Sequence, residues 1–175
     1  MPSNPLSDKQ QEQIILQTYE YIDMAANIYG ASFKKIPVYF NLGGLKAGMY
    51  KRDRQGRSIY YNPHFFLQFM DDNLRSTVPH EVAHYISDML YGLNRIKPHG
   101  SEWKEIMRAL GAKPERTCNY DLSDIPHRRE KRHTYRCQCS EYELSTRRHN
   151  NIQNNRRNYL CKSCKTQLLH VSKNP

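Results

Sequence analysis

The residues best suited to chemistry form one short segment, His80-Glu81-Val82-Ala83-His84. In a helix, residues four apart lie one above the other on the same face, so both imidazoles can reach one metal ion. Glu81 is turned about 100° from His80, which lets its carboxylate contact a metal-bound water instead of the metal. Zinc lowers the pKa of such a water toward about 7, and the carboxylate can take its proton. The segment therefore predicts a catalytic zinc site with Glu81 as general base.

A catalytic zinc site needs a third protein ligand and one open position. His99 lies 15 residues after His84, beyond a turn at Gly92, so the chain can fold back toward the metal. Asp88 lies on the same helix face as His84, where it could bind the metal or orient a ligand histidine. Glu102 is interpreted as part of the first turn of the next helix. We favour His99 as the third ligand.

A second group of possible ligands consists of two cysteine pairs, Cys137-Gln138-Cys139 and Cys161-Lys162-Ser163-Cys164. Two close pairs are typical of a structural zinc ribbon, which predicts one structural zinc in addition to the catalytic zinc. The first pair is spaced more tightly than usual, so His149 is an alternative ligand in place of one of its thiolates. A disulfide framework would need an oxidising compartment, which the sequence does not predict. The remaining cysteine and histidines are expected to pack (Cys118) or to be exposed to solvent (His64, His127, His133 and His170).

The positive charge of the chain is concentrated in the cysteine-bearing region. The net charge is +10, and residues 126–175 carry 12 basic and three acidic side chains, whereas residues 1–125 are nearly neutral. We interpret Pro126 as the boundary between a domain of residues 1–125 and a basic domain of residues 126–175. Arg147, Arg148, Arg156 and Arg157 lie between the cysteine pairs and predict sequence-independent binding of nucleic acid. The alternative is a solvated basic face.

Membrane and secreted proteins are not favoured by the sequence. No apolar run reaches the roughly 18–20 residues that a membrane span needs. The first residues lack the apolar segment of a secretory signal, so we expect a cytoplasmic protein without membrane contact. Hydrophobic residues make up only 38% of the chain, and such a lean core favours stabilisation by a metal.

Apolar spacing and turn residues predict the elements that position these groups. A capping box at Ser7 and Gln10 opens a helix that ends near Gly30. Strands are expected at 36–40, 45–50 and 58–61, with a polar loop at 51–57 and a short apolar helix after Pro63. Further helices are expected at 78–91 and, capped by Ser101, at 101–110. This order predicts an α+β body with a small antiparallel sheet.

The motifs and their surroundings resemble the bacterial SprT family. The resemblance covers nearly the whole chain and rests on residues 77–84, 98–103 and 61–63 and, in the tail, on residues 135–139, 147–150 and 159–164. It implies a zincin-like metalloprotease body with a C-terminal zinc-ribbon-like tail. By motif, it also implies His80, His84 and His99 as zinc ligands and Glu81 as the catalytic base. The eukaryotic relative Spartan degrades proteins crosslinked to DNA, so a DNA-associated protein substrate is expected by analogy.

We therefore expect a zinc endopeptidase in which the metal polarises the scissile carbonyl and Glu81 passes the proton of the attacking water to the leaving amine. The strand Ser58–Tyr61 either pairs with an extended substrate or is an ordinary sheet strand. Tyr60 and Tyr61 are both candidates for stabilising the oxyanion. Two other functions stay open. One is a nucleic-acid-binding zinc protein with a vestigial or latent protease site, and the other is a metal-dependent hydrolase of a non-peptide bond.

Overall fold

The computed structural model describes residues 4–115, 120–123, 125–126 and 131–171. The chain divides into two compact units, Met1–His127 and Arg128–Pro175. The assignment of residues 1–125 to a protease domain and of residues 126–175 to a zinc-ribbon domain stays a prediction. Cys118 and His127, expected to pack and to be exposed, lie outside the described residues.

The first unit begins with a long helix and continues through three strands into four more helices among its described residues. The helix α1 has the predicted capping box, in which Ser7 and Gln10 satisfy each other's backbone N–H groups, and it ends at Gly30 in the left-handed conformation. The elements are α1 (Asp8–Tyr29), β1 (Val38–Tyr39), β2 (Gly48–Asp53), β3 (Gly56–Tyr61), α2 (Pro63–Gln68), α3 (Met70–Arg75), α4 (Thr77–Tyr91) and α5 (Ser101–Ala109).

The sheet of the first unit is mixed, with strand order β1-β3-β2. The prediction of a purely antiparallel sheet is wrong, because β1 runs parallel to the central strand β3. The predicted polar loop at 51–57 is also wrong. Lys51 pairs with Ser58 and Arg52 with Arg57, so the two strands continue to a tight turn. Polar composition did not exclude strands here, because the charged side chains of this hairpin lie at the surface.

Helix α4 lies at the centre of the first unit and contacts α1, α3, α5 and β2. Its side chains Val78, Val82, Ala83 and Ile86 are fully buried. Pro79 lies in the first turn, where its missing N–H costs no intrahelical hydrogen bond. Because the core holds this helix on several sides, the direction of each α4 side chain is fixed.

The second unit is a smaller α+β arrangement. Its elements are β4 (Arg132–Arg136), β5 (Glu141–Ser145), α6 (Thr146–Gln153) and β6 (Leu169–His170), and both outer strands pair antiparallel to β4. Two of the five residues that form its buried core are cysteines: Tyr135, Cys137, Leu144, Cys161 and Leu168. Across the described ranges of both units, no helix has the length and apolar character needed to cross a membrane.

Candidate metal centres

The structure brings His80, His84 and His99 together in the first unit. His80 and His84 project from one face of α4, as their spacing predicts. After α4 ends at Gly92, the connection to α5 returns His99 to the same place. A turn in which the Gly100 N–H donates to the Lys97 carbonyl, at 2.9 Å, fixes the chain just after His99.

The three imidazoles converge on a single point. Each of the three Nε2–Nε2 distances among His80, His84 and His99 is 3.2 Å. A tetrahedral ion bound to nitrogen at about 2.0–2.1 Å has edges of about 3.3 Å between its ligand atoms. Three ring nitrogens at the corners of such a triangle cannot all form well-directed hydrogen bonds with one another. The geometry therefore fits a metal ion with three protein ligands.

The side chain that supports all three histidines is Trp103 on α5. Its indole ring lies 4.7 Å from the rings of His80 and His99 and 5.6 Å from that of His84, measured between centroids. Trp103 is fully buried, and its Nε1–H donates to the carbonyl of His80 at 3.3 Å. The sequence analysis does not connect Trp103 with the histidines, although Trp103 lies only four residues after His99.

Burial keeps the α4 histidines neutral. Burial and the neighbouring His99 lower the pKa of His80 to about 4, and burial with the two other rings lowers that of His84 to about 3. A metal ion needs the unprotonated nitrogen of imidazole. At neutral pH, therefore, no proton has to be removed from either ring before an ion binds.

Glu81 is a buried carboxyl beside the histidine triangle. Its Oε2 accepts a hydrogen bond from the backbone N–H of Tyr50 on β2, at 2.6 Å. Burial raises the pKa of Glu81 to about 8, and the Tyr50 N–H and the charge of Lys46 offset only part of this increase. A bound cation would lower that pKa again, because it favours the charged form.

Gly48 on β2 makes room for the Glu81 carboxyl. A Cβ atom at this position would lie 2.7 Å from both Cγ and Oε1 of Glu81 and 2.9 Å from the Thr77 methyl group. Every other residue type would therefore displace either the strand or the carboxyl. No local sequence pattern indicates this role, because the two residues lie 33 positions apart.

Asp88 contacts none of the three clustered histidines and is not part of their group. Both of its expected roles, as a metal ligand and as a residue that orients a ligand histidine, are therefore wrong. Its fully buried carboxylate accepts hydrogen bonds from Tyr50 Oη (2.7 Å), Arg57 Nε (2.6 Å), Arg52 (2.8 Å) and the Leu93 N–H (3.4 Å). Burial alone would raise the pKa of Asp88, but these hydrogen bonds and the arginine charges hold it below its usual value. Asp88 thus joins the end of α4 to the β2–β3 hairpin.

Other sequence expectations fail for identifiable reasons. Glu102 lies in the first turn of α5, as interpreted, but the helix cap is Gly100, and Ser101 makes no capping hydrogen bond. Tyr61 is fully buried with its hydroxyl 3.1 Å from Thr18 Oγ1, so it cannot meet a substrate. The strand β3 has neighbours on both sides at Ile59 and Tyr60, which leaves no edge there for a substrate strand.

The four predicted cysteines also come together, in the second unit. The sulfur atoms of Cys137, Cys139, Cys161 and Cys164 lie within 4.8 Å of one another. The Cys137–Cys139 and Cys139–Cys161 sulfur distances are 3.5 and 3.6 Å. A tetrahedral ion bound to sulfur at about 2.3 Å has edges of about 3.8 Å, so the cluster fits a metal held by four thiolates.

Tyr142 stabilises one of these sulfurs as a thiolate. Its hydroxyl lies 3.0 Å from Cys161 Sγ. This hydrogen bond is the largest cause of the lowered pKa of Cys161, and it raises the pKa of Tyr142 to about 12. Both shifts describe a phenol that donates to a thiolate, which is the form that binds metal.

His149, the predicted substitute ligand, is not part of the cysteine group. It lies instead with His133 and His170 in a separate cluster. The expectation that His64, His133 and His170 are exposed to solvent is confirmed for His170 and wrong for His64 and His133. His170 is exposed, but His133 is half-buried against the ring of His149, and His64 is half-buried in the first unit.

The four predicted nucleic-acid-binding arginines are all exposed in the second unit. Arg147 and Arg148 lie on α6, and the guanidinium of Arg148 lies 5.8 Å from the ring centre of Tyr159. Arg156 and Arg157 follow that helix, and both backbone N–H groups donate to the carbonyl of Asn151. Within the described part of the chain, none of the four forms an ion pair with a carboxylate.

The segment that carries the histidine triangle matches a known protein family. Residues 18–124, which contain the histidine triangle and Glu81, match the model of the SprT-like family. No solved structure matches the chain significantly.

Similar proteins extend the match over almost the whole chain. Protein SprT of Pasteurella multocida is 34% identical over 90% of this chain and 92% of its own length. Protein SprT of Pseudomonas fluorescens Pf-5 is 34% identical over 91% and 94% of the two chains. Protein SprT of Pseudomonas savastanoi pv. phaseolicola is 36% identical over 83% and 86%. With its histidine triangle inside the matched segment and these relatives matched over most of both chains, the chain belongs to the SprT-like family.

Proposed function

We propose that the protein is a zinc-dependent endopeptidase with a zincin-like body. The observation that carries the proposal is the triangle of three imidazole nitrogens at 3.2 Å beside a buried carboxyl. Imidazole nitrogen is a preferred zinc ligand, and three protein ligands leave one position open for chemistry. A polar cavity of about 920 Å³ adjoins His99 and gives space for a polypeptide segment.

The chemistry divides between the metal and Glu81. Zinc, when held by His80, His84 and His99, supplies a positive charge that polarises the scissile carbonyl and acidifies a water. Glu81 takes one proton from the attacking water as the new carbon–oxygen bond forms. It then delivers this proton to the amide nitrogen as the carbon–nitrogen bond breaks, so the products are a carboxylic acid and an amine. Trp103 and the α4 helix hold the three rings in place throughout.

The environment of Glu81 suits this proton transfer. Its Oε2 is held by the Tyr50 N–H, so we assign the exchange of protons to Oε1. A general base works best when its pKa lies near the working pH, because it must both accept the proton and release it. Burial raises the pKa of this carboxyl to about 8 in the metal-free chain. A bound metal ion would lower this pKa toward neutral pH, because its positive charge favours the carboxylate form.

Removal and return of the metal test the proposal directly. The zinc-loaded chain should digest an unfolded protein, lose this activity on treatment with a chelator, and regain it when zinc is added back. A His84→Ala variant should not regain activity, because the two remaining rings cannot hold the ion in the same geometry. Proteolysis that persists unchanged in the metal-free chain would show that the proposed mechanism is wrong.

The second unit supports a proposal about the substrate class. We infer that Arg147, Arg148, Arg156 and Arg157 bind the phosphate backbone of nucleic acid and thereby deliver the protease to proteins that are associated with DNA or crosslinked to it. In the part of the chain that the structure describes, these exposed cations have no carboxylate partner, which suits phosphate contacts, and Tyr159 beside Arg148 offers a ring for base stacking. The same arginines also support the alternative function, a nucleic-acid-binding zinc protein whose protease site is latent.

Alanine at all four arginines should weaken DNA binding and make it less sensitive to salt. Each lost phosphate contact should reduce the slope of log affinity against log salt by roughly 0.7–0.9. The measurement is a binding isotherm of the full chain on a DNA of arbitrary sequence at several salt concentrations.

A control separates these contacts from overall charge. Alanine at four exposed basic residues of the first unit removes the same net charge and should leave the slope almost unchanged: Lys9, Lys34, Arg75 and Lys113. If both quadruple variants lose affinity equally, the arginines form no specific surface.

A further inference from the structure

Three histidines that neither metal group uses lie together in the second unit. His133 is on β4, His149 on α6 and His170 on β6, and one ring nitrogen of each lies within 4.8 Å of the others. The rings of His133 and His149 stack in parallel with centroids 3.7 Å apart. The ring of His170 lies 4.9 Å from that of His149 and 6.4 Å from that of His133.

The fold brings the three histidines together, because β4, α6 and β6 are each held by contacts of their own. The β4–β6 register pairs His170 with Tyr135, two residues from His133 along β4. Helix α6 starts at the Ser145 cap, where the Ser145 side chain accepts the Arg148 N–H, and this orients the helix that carries His149. Three imidazoles from three separate elements therefore face a common space in the free chain.

Hydrogen bonds engage one ring nitrogen of His133 and one of His149. The Thr146 hydroxyl donates to the Lys131 carbonyl at 3.0 Å, so His133 donates its Nε2–H to Thr146 Oγ1 at 3.4 Å and keeps Nδ1 unprotonated. His149 Nδ1 lies 3.0 Å from the hydroxyl of the fully buried Tyr135. This oxygen also accepts from Gln153 Nε2 at 3.5 Å, and in the tautomer in which His149 donates from Nδ1 to it, the lone pair of His149 lies on Nε2. A metal-ligating histidine typically has such a partner on its other nitrogen.

We propose that His133, His149 and His170 form a third metal site, for a divalent ion of the zinc, nickel and copper class. Imidazole-only ligand sets prefer these borderline ions to calcium or magnesium, which require oxygen ligands. Tetrahedral binding requires ring nitrogens about 3.3 Å apart with converging lone pairs. The stacked rings of His133 and His149 must therefore tilt out of their parallel arrangement, and the exposed His170 side chain must rotate toward them. The site is open to solvent, so the ion exchanges readily and binds more weakly than at the other two groups.

The proposed ion would stabilise the position of strand β6. Strand β6 is only two residues long, and beyond its pairing with β4 the chain is held by a hydrogen bond from the Val171 N–H to the Thr134 carbonyl. A bond from the metal to His170 would join β6 to both β4 and α6. Occupancy of the site would therefore slow hydrogen exchange at Val171 and at its neighbours along β4.

Nuclear magnetic resonance of the histidine rings tests the proposal in the full chain. The protein is first saturated with zinc at the other two groups, and more zinc is then titrated in while the ring nitrogens are observed. The ring nitrogens of His133, His149 and His170 should shift together as one further equivalent binds, while those of His64 should not. Each ring is read separately, so the result does not depend on whether the protease proposal holds.

Variants make the assignment specific. His170→Ala should abolish the further equivalent, whereas His64→Ala should retain it. Tyr135→Phe keeps the buried ring but removes the hydroxyl beside His149, and it should weaken binding by about 10–100-fold. If the three rings do not respond to zinc or to nickel, or if they respond equally in His170→Ala, the cluster is a packed histidine stack and the proposal is overturned.

Discussion

Glu81→Gln should abolish proteolysis while leaving the zinc content of the protein unchanged. The glutamine amide has nearly the shape of the carboxyl, and its oxygen can still accept the Tyr50 N–H hydrogen bond. It cannot, however, accept a proton from the attacking water, and loss of a general base typically costs 10²–10⁴-fold in rate. The measurement is the initial rate of cleavage together with the metal content of the purified variant.

Unfolding would not explain the loss of activity, because the substitution removes the free-energy cost of burying a carboxyl. A carboxyl at 5% exposure with a raised pKa is disfavoured by burial, and a neutral amide is less so. The variant should therefore unfold at the same temperature as the wild type or above it. Glu12→Gln, the same chemical change at an exposed position of α1, should keep full activity. Cleavage by Glu81→Gln near the wild-type rate would refute the general-base role.

Cys161→Ser should unfold the second unit and leave the first unit folded. Two of the five buried core residues of that unit are cysteines, so little apolar surface remains to hold it together once the metal is lost. The apparent binding free energy of a structural zinc is about 10–16 kcal/mol, which equals or exceeds the stability of a typical domain. Amide signals of residues 131–171 should collapse to random-coil positions while those of α1 and α4 stay dispersed.

The control for this variant is a histidine outside the thiolate group. His149→Ala should retain the zinc bound by the four cysteines, because His149 lies in the other cluster of the second unit. If His149→Ala released that zinc and Cys161→Ser did not, the ligand set would have to include the histidine. A folded second unit in metal-free Cys161→Ser would show that the cysteines stabilise it by packing alone.

Local patterns predicted the helices more successfully than the sheet. The capping box at Ser7 and the spacing of His80 and His84 depend on residues that are close in sequence, and both helices appear as expected. The parallel pairing of β1 with β3 depends on a crossover between strands that no local pattern encodes. The charged residues at 51–57 have the composition of a loop. In the structure they form a hairpin whose Arg52 and Arg57 pair with Asp88, a residue too distant in sequence for a local pattern to indicate.

The candidate site also contains residues that local patterns predict and residues that they do not. Histidines four apart identify two ligands at once, and His99 could be proposed because a turn at Gly92 allows the chain to return. No local pattern indicates three supporting contacts, because each joins separate elements of the fold: Trp103 beside the rings, Gly48 beside Glu81, and Asp88 with the hairpin arginines. The cluster of His133, His149 and His170 likewise arises only when β6 pairs with β4.

The position of Trp103 gives the protein an internal optical reporter. The sequence contains one tryptophan, and its ring contacts all three histidines of the first unit. The emission of an indole responds to charge placed against its face and to changes in the rings packed on it. Fluorescence excited at the indole band should therefore follow the loading of this histidine triangle in the intact protein, without a label.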